Sequence, residues 1–214
     1  MHGMIWFNTS TVPQRRGYVQ RMIPVIHNYS LWTAMEGKIA DRTYVAPYGN
    51  PSYRSYSDMF QEDGFYVYPA MFKKTIYTSV TMSLAETDYI QFKPQTRWAL
   101  PILTTNTGVA PGSEAVGYLI SDDVMHNRVI RLGVKRGPVR AVLEEATYET
   151  VKSCSPTSPF NVSSSNVKEY MTLLKHPAGD VGLMGEAEMC LRSKVGSGRE
   201  AREDLLVVPN FLEI

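Results

Sequence analysis

The chain has 214 residues, of which 43% are hydrophobic and 20% charged, with a formal net charge of +1. That composition belongs to a globular protein with a real core rather than to a disordered one, and a charge so close to zero gives no global attraction to nucleic acid or to an anionic membrane. No run approaches the roughly 20 apolar residues that a membrane-spanning helix requires.

Residues 1–7 lack the charged and apolar regions of a secretory signal. The expectation is an intracellular, non-secreted protein, in which the sequons at Asn8, Asn28 and Asn161 meet no glycosylation machinery. Cys154 and Cys190 are the two cysteines. They are too few for a disulfide framework and form no C-x-x-C pair for zinc or redox work. They are expected as free thiols in a reducing compartment, with a disulfide as the alternative.

Thirteen prolines and fifteen glycines leave little room for long helices. Between them lie short runs rich in β-branched and aromatic residues, the signature of strands. Residues 19–32 form the first candidate strand, confined to an edge or bulge by Pro24. Residues 65–68 follow an Asp63-Gly64 turn signal. Residues 74–84 alternate, with Ile76, Thr78, Val80, Met82 and Leu84 on one face. Residues 89–92, 98–103, 115–121 and 128–134 are further strand candidates. Residues 141–151 and 166–175 lean towards helix, the second carrying Val167, Tyr170, Met171 and Leu174 on one stripe; residues 185–194 are a weaker case.

Residues 153–165 are rich in serine and proline and read as a linker. They suggest a β-rich body over 1–152 and a mixed helical and extended segment over 153–214. The expected fold is mainly β: an antiparallel sandwich or barrel, a jelly roll among the options, with one or two short helices towards the C-terminus.

Catalytic chemistry has few carriers. His27 sits in an apolar run and reads more readily as a core histidine than as a base; His2 is terminal, and His176 precedes Pro177 at a helix end. Asp122, Asp123 and His126 put two carboxylates close to an imidazole, a donor set for a divalent metal if the segment curls, yet the blander reading is a polar turn. No G-x-S-x-G elbow and no phosphate-binding glycine loop is present. The chain reads as a non-enzyme with no cofactor and no metal.

Two features suit binding. Residues 44–68 hold six of the thirteen tyrosines among Ser, Gly, Asn and Pro, a composition that favours interfaces; Tyr48, Tyr53, Arg54, Tyr56, Tyr66 and Tyr68 are the candidate contacts, against the alternative of a loop folded over the core. Arg128, Arg131, Lys135, Arg136 and Arg140 form a basic strip, read as a solvated hairpin tip, a contact for an acidic partner, or a contact for packaged nucleic acid. Together these features suggest a structural subunit of a large assembly, in concrete form a virion or capsid component. Its partners would be copies of itself or other subunits, with no membrane. The alternatives are a hydrolase or metal-dependent enzyme using His27 or Asp122/Asp123/His126, and a monomeric binding module using the tyrosine-rich loop.

Overall fold

The computed structural model describes residues 10–14, 17–21, 24–37, 53–83, 103–133, 137–170, 172–175, 179–196 and 202–212. Strands dominate, as the density of β-branched and aromatic runs implies. In chain order the first half contains β1 (Ser10–Gln14), β2 (Gly17–Arg21), β3 (Val25–Ile26), α1 (Asn28–Glu36), α2 (Tyr56–Asp63), β4 (Phe65–Val67), β5 (Ala70–Lys74), β6 (Tyr77–Ser83) and β7 (Leu103–Val109). The second half contains β8 (Glu114–Val116), β9 (Leu119–Ser121), β10 (Arg128–Leu132), β11 (Gly137–Ala141), β12 (Thr147–Cys154), β13 (Phe160–Asn161), β14 (Val167–Tyr170), β15 (Leu173–Leu174), β16 (Val181–Gly182), β17 (Gly185–Val195) and β18 (Arg202–Val207).

The described pairings are antiparallel except for β2 with β7. One sheet runs β1-β2-β7-β6; another is built on the eleven-residue β17, which pairs with β12 along one edge and with β14 and β18 along the other. Smaller sheets are β3-β5-β8, β13-β16-β15, β4-β9 and β10-β11. The mainly β, antiparallel expectation therefore holds in sandwich-like sheets, and none of them closes into a barrel among the described residues.

The helices lie elsewhere than expected. The described residues of 141–151 and 166–175 are not helical: they supply β12, β14 and β15, and residues 185–194 belong to β17. Their branched and aromatic side chains find cross-strand neighbours, and that outweighs the helical spacing. Both α-helices among the described residues instead come from the first third of the chain. α1 takes over the end of the run read as a strand over 19–32. His27 is its N-cap, its Nδ1 accepting the Tyr29 N–H at 3.1 Å, and Gly37 closes it in the left-handed region at φ 78°. α2 begins with Ser55, whose Oγ accepts the Asp58 N–H at 3.1 Å, and ends with Gly64, whose N–H donates to the Phe60 carbonyl at 2.9 Å. Ser55 and Asp58 stand in capping-box spacing, and the carboxylate suits the positive end of the helix dipole.

These two helices and β4 enclose the principal core. Trp32 is fully buried, stacked on Tyr56 with ring centroids 6.2 Å apart and edge-on to Tyr66 at 5.6 Å. Its indole N–H donates to Asp63 Oδ2 at 2.9 Å, tying α1 to α2. Ile130 and Leu132 from β10 and Leu191 and Leu206 from β17 and β18 complete this core. A second, smaller core gathers Cys154, Phe160, Ala187, Cys190 and Val207. Phe160 lies directly opposite Gly182, where a Cβ would meet the ring at 2.4 Å, so only glycine admits the aromatic side chain there.

The two cysteines are joined rather than free: Cys154 and Cys190 form a disulfide across β12 and β17, with Cα atoms 6.2 Å apart. On an unbroken ladder Cys154, opposite Ala187, would face away from Cys190. Ser153, left-handed at φ 53°, interrupts the alternation between them and brings both sulfur atoms into the smaller core. β12 runs through positions 152 and 153 to Cys154.

Two expectations follow from this packing. Replacing both cysteines by serine removes a cross-link spanning 36 residues and should lower stability by about 3–4 kcal/mol, read as a drop in urea midpoint that reductant reproduces in the native chain but not in the variant. Burial, with the proximity of Tyr66 second, holds the Tyr56 hydroxyl far above its usual range, and burial does the same for Tyr66 and Tyr68. The folded chain thus keeps protons that an unfolded chain releases near about pH 10. Stability from these groups is complete below that value and falls as pH rises past it. Absorbance at 295 nm should show these tyrosines ionising only together with the loss of circular dichroism; ionisation ahead of unfolding would contradict the burial.

Candidate functional site

The β10-β11 hairpin carries the described part of the basic strip. Register sets Arg128 opposite Ala141, Val129 opposite Arg140, Ile130 opposite Val139 and Arg131 opposite Pro138. Ile130 and Leu132 point into the core, and the two-residue alternation turns Val129 and Arg131 outwards. Arg140, across from Val129, therefore joins Arg131 on the solvent face, and both are exposed. They stand on the diagonal of an antiparallel pair, roughly 7–8 Å apart. Val129 is 68% exposed between them. The strip is thus an arginine-flanked face with no acidic side chain among the described residues of the hairpin's outer surface.

Arg128 belongs to the opposite face and has a different task. Its Nη1 donates to the Met35 carbonyl at 2.9 Å and its Nε to the His126 carbonyl at 3.4 Å. Met35 lies in the last turn of α1, so the guanidinium satisfies a helix-end carbonyl and complements the dipole. This contact sets the hairpin against α1. Lys135 and Arg136 lie outside the described residues.

The tyrosine set divides. Tyr56, Tyr66 and Tyr68 are buried to 6%, 1% and 1% relative exposure. They are core residues and present no surface to a partner, which corrects their assignment as contacts. The Ser55 cap turns Tyr56 inwards, and all three residues of β4 are covered. Tyr53 is half-buried, edge-on to Tyr29 with centroids 5.0 Å apart, and Arg54 pairs with Glu62 on α2. Tyr48 lies outside the described residues. A composition rich in Tyr and Ser does not distinguish a paratope-like loop from aromatic side chains folded onto a core.

The histidines are also placed. His27 is buried; while Nδ1 caps α1, Nε2–H donates to the Gly179 carbonyl at 2.8 Å. Both ring nitrogens are engaged in holding backbone, so the ring does structural work. Asp122, Asp123 and His126 are exposed on the segment between β9 and β10, where the Asp122 N–H donates to the Gly64 carbonyl and the Asp123 N–H to Ser121 Oγ. Among the described residues, no three His, Cys, Asp or Glu side chains converge on a point where a metal would sit. His2 and His176 lie outside the described residues.

A polar cluster that sequence reasoning missed surrounds Asp204. Its carboxylate accepts from the Tyr118 hydroxyl, from Arg202 Nε at 2.5 Å and from Thr157 Oγ1 at 3.3 Å. Burial, then the adjacent carboxylate, raises the Tyr118 hydroxyl well above the usual range. The cluster is internally satisfied and ties β18 to the β8-β9 turn and to residue 157. No linear signal marks it, because its members come from three separate segments.

The comparisons with known proteins bear on what this scaffold serves. No curated protein matches the chain, and among the described residues no helix is long and apolar enough to cross a membrane. The model of one family, described as Type I-D CRISPR-associated protein Cas5/Csc1, matches residues 1–191. That match overturns the virion or capsid reading: a β-rich chain with adhesive loops suits many assemblies, and general character does not single out a viral shell. The chain belongs to the Type I-D CRISPR-associated Cas5/Csc1 family.

Proposed function

We propose that this chain is an RNA-binding subunit of a multi-subunit CRISPR effector complex, and that the outer face of the β10-β11 hairpin contacts the RNA backbone. Family membership supports the setting, since Cas5 subunits work with other Cas subunits and CRISPR RNA. The observation that carries the contact is the pair Arg131 and Arg140, exposed on one face of a hairpin whose other face is anchored in the core. Guanidinium groups match phosphate oxygens in bidentate geometry. A rigid two-stranded platform holds them at fixed spacing, which favours recognition of a charged backbone over reading of base edges. Val129 between them offers apolar contact to a sugar but no aromatic face on which a base would stack. The near-zero net charge then means that attraction is local to this face rather than spread over the molecule.

Arg131→Ala and Arg140→Ala should each weaken binding of single-stranded RNA irrespective of its sequence and reduce the slope of log affinity against log salt by about 1 or slightly less. Fluorescence anisotropy over a salt series reads both quantities, and an unchanged slope in the double variant would sink the proposed contact. Arg128→Ala should do the opposite. It should leave the salt slope intact and lower stability by about 1 kcal/mol or more, because the Met35 carbonyl loses its charged donor.

A further inference from the structure

Up to the buried Cys154, β12 covers almost nothing, in contrast to its neighbour β17. β17 is paired on both edges, but β12 pairs with β17 alone, and no described strand lies along its outer edge. Six of its first seven residues are exposed, and the seventh, Val151, is half-buried. Opposite them on β17, Leu191 and Ser193 are buried, so the core stops one strand short of the sheet's edge. Ordering a strand costs backbone entropy that burial usually offsets. Here the strand is held by its ladder, by the Glu149–Arg192 ion pair at 2.5 Å and by the disulfide at its end.

A strand so held offers a row of backbone donors and acceptors that no described strand pairs, the template on which a further strand adds. Its side chains suit that use. Tyr148, the second residue of β12, is 68% exposed, a rigid amphipathic anchor of the type that dominates interface energetics. Glu149 is neutralised by Arg192, whereas Lys152 makes no ion pair among the described residues and leaves the edge with a positive charge. We propose that the outer edge of β12 receives an extended segment of another protein subunit by strand addition, with Tyr148 as its anchor and Lys152 selecting a partner segment that carries a carboxylate. The proposal rests on the reading of the chain as a subunit of a multi-protein complex, and it places the protein-binding edge on a different sheet from the arginine face assigned to RNA.

Hydrogen exchange by mass spectrometry tests it on three samples: the isolated chain, the chain with single-stranded RNA, and the complex assembled with the companion Cas subunits. Amides of residues 147–153 should exchange at least about tenfold more slowly in the complex and at an unchanged rate with RNA alone. Tyr148→Ala combined with Lys152→Glu should weaken assembly by about tenfold or more while leaving the melting temperature and RNA affinity unaltered. Unchanged exchange of 147–153 in a complex that does form overturns strand addition and leaves the reading as an effector subunit intact. Protection by RNA alone overturns the assignment of the edge to protein. Self-association of the isolated chain that the double variant abolishes identifies a second copy as the occupant and overturns it as well. A chain that joins no complex and binds no RNA removes the parent reading itself.

Discussion

Leaving a buried polar atom unpaired is costly, and in this protein the pairing of the Asn28 Oδ1 locks distant parts of the chain together, although the Asn28 Nδ2 has no hydrogen-bond partner among the described residues. The Oδ1 accepts from the Tyr29 N–H at 3.0 Å and the Tyr56 hydroxyl at 3.1 Å, with Asn161 Nδ2 at 3.4 Å. Asn161 Nδ2 also donates to the Tyr56 oxygen at 2.9 Å, and Ser163 closes on Asn161 Oδ1 at 2.5 Å. Asn28 and Asn161 have no measurable exposure, so water cannot substitute for a missing partner. The start of α1, the start of α2 and the segment after β13 must therefore arrive together. His27, donating to the Gly179 carbonyl, and Tyr66, paired with Ser164 at 3.2 Å, reinforce the same junction from either side.

The functional surfaces depend on that junction at one remove. Once α1 is fixed, Trp32 sets the aromatic core and Met35 presents the carbonyl that holds Arg128. Arg128 and the inward Ile130 and Leu132 then determine which face of the hairpin looks outwards, and Arg131 and Arg140 occupy it because a strand alternates with a period of two. β17 is positioned by a different set of contacts, with Leu191 in the main core and Cys190 in the smaller one. The edge strand β12 is carried outwards from it. One platform is thus rigid because its inner face is packed, and the other because it is tied covalently to a packed neighbour.

Much of the strand content was legible. Residues 65–68, 74–84, 115–121 and 128–134 each contain a described strand, since short β-branched and aromatic runs between Gly and Pro breaks have few other uses. α1 and α2 had local signals that the strand reading overlooked. Tyr29, Trp32 and Met35 recur at helical spacing before Gly37, and Ser55-x-x-Asp58 opens a run that Gly64 closes. The opposite error, helix for β12 and β14, arose because residues such as Glu145, Glu149 and Lys168 are good helix formers when considered alone. Their pairing with β17 is a non-local fact: Glu149 meets Arg192 across 43 positions of sequence.

Composition and local pattern are enough to define a mainly β chain of low net charge with a run of five basic side chains over 128–140. These properties depend on composition and on neighbours a few residues apart. Which of those residues reach the surface depends on the packing of the folded chain. It buried Tyr56, Tyr66 and Tyr68, turned Arg128 inwards and Arg131 outwards, joined Cys154 to Cys190, and left β12 uncovered. Burial is set by what packs from elsewhere in the chain, and no local pattern records which distant segment will arrive to cover a given face.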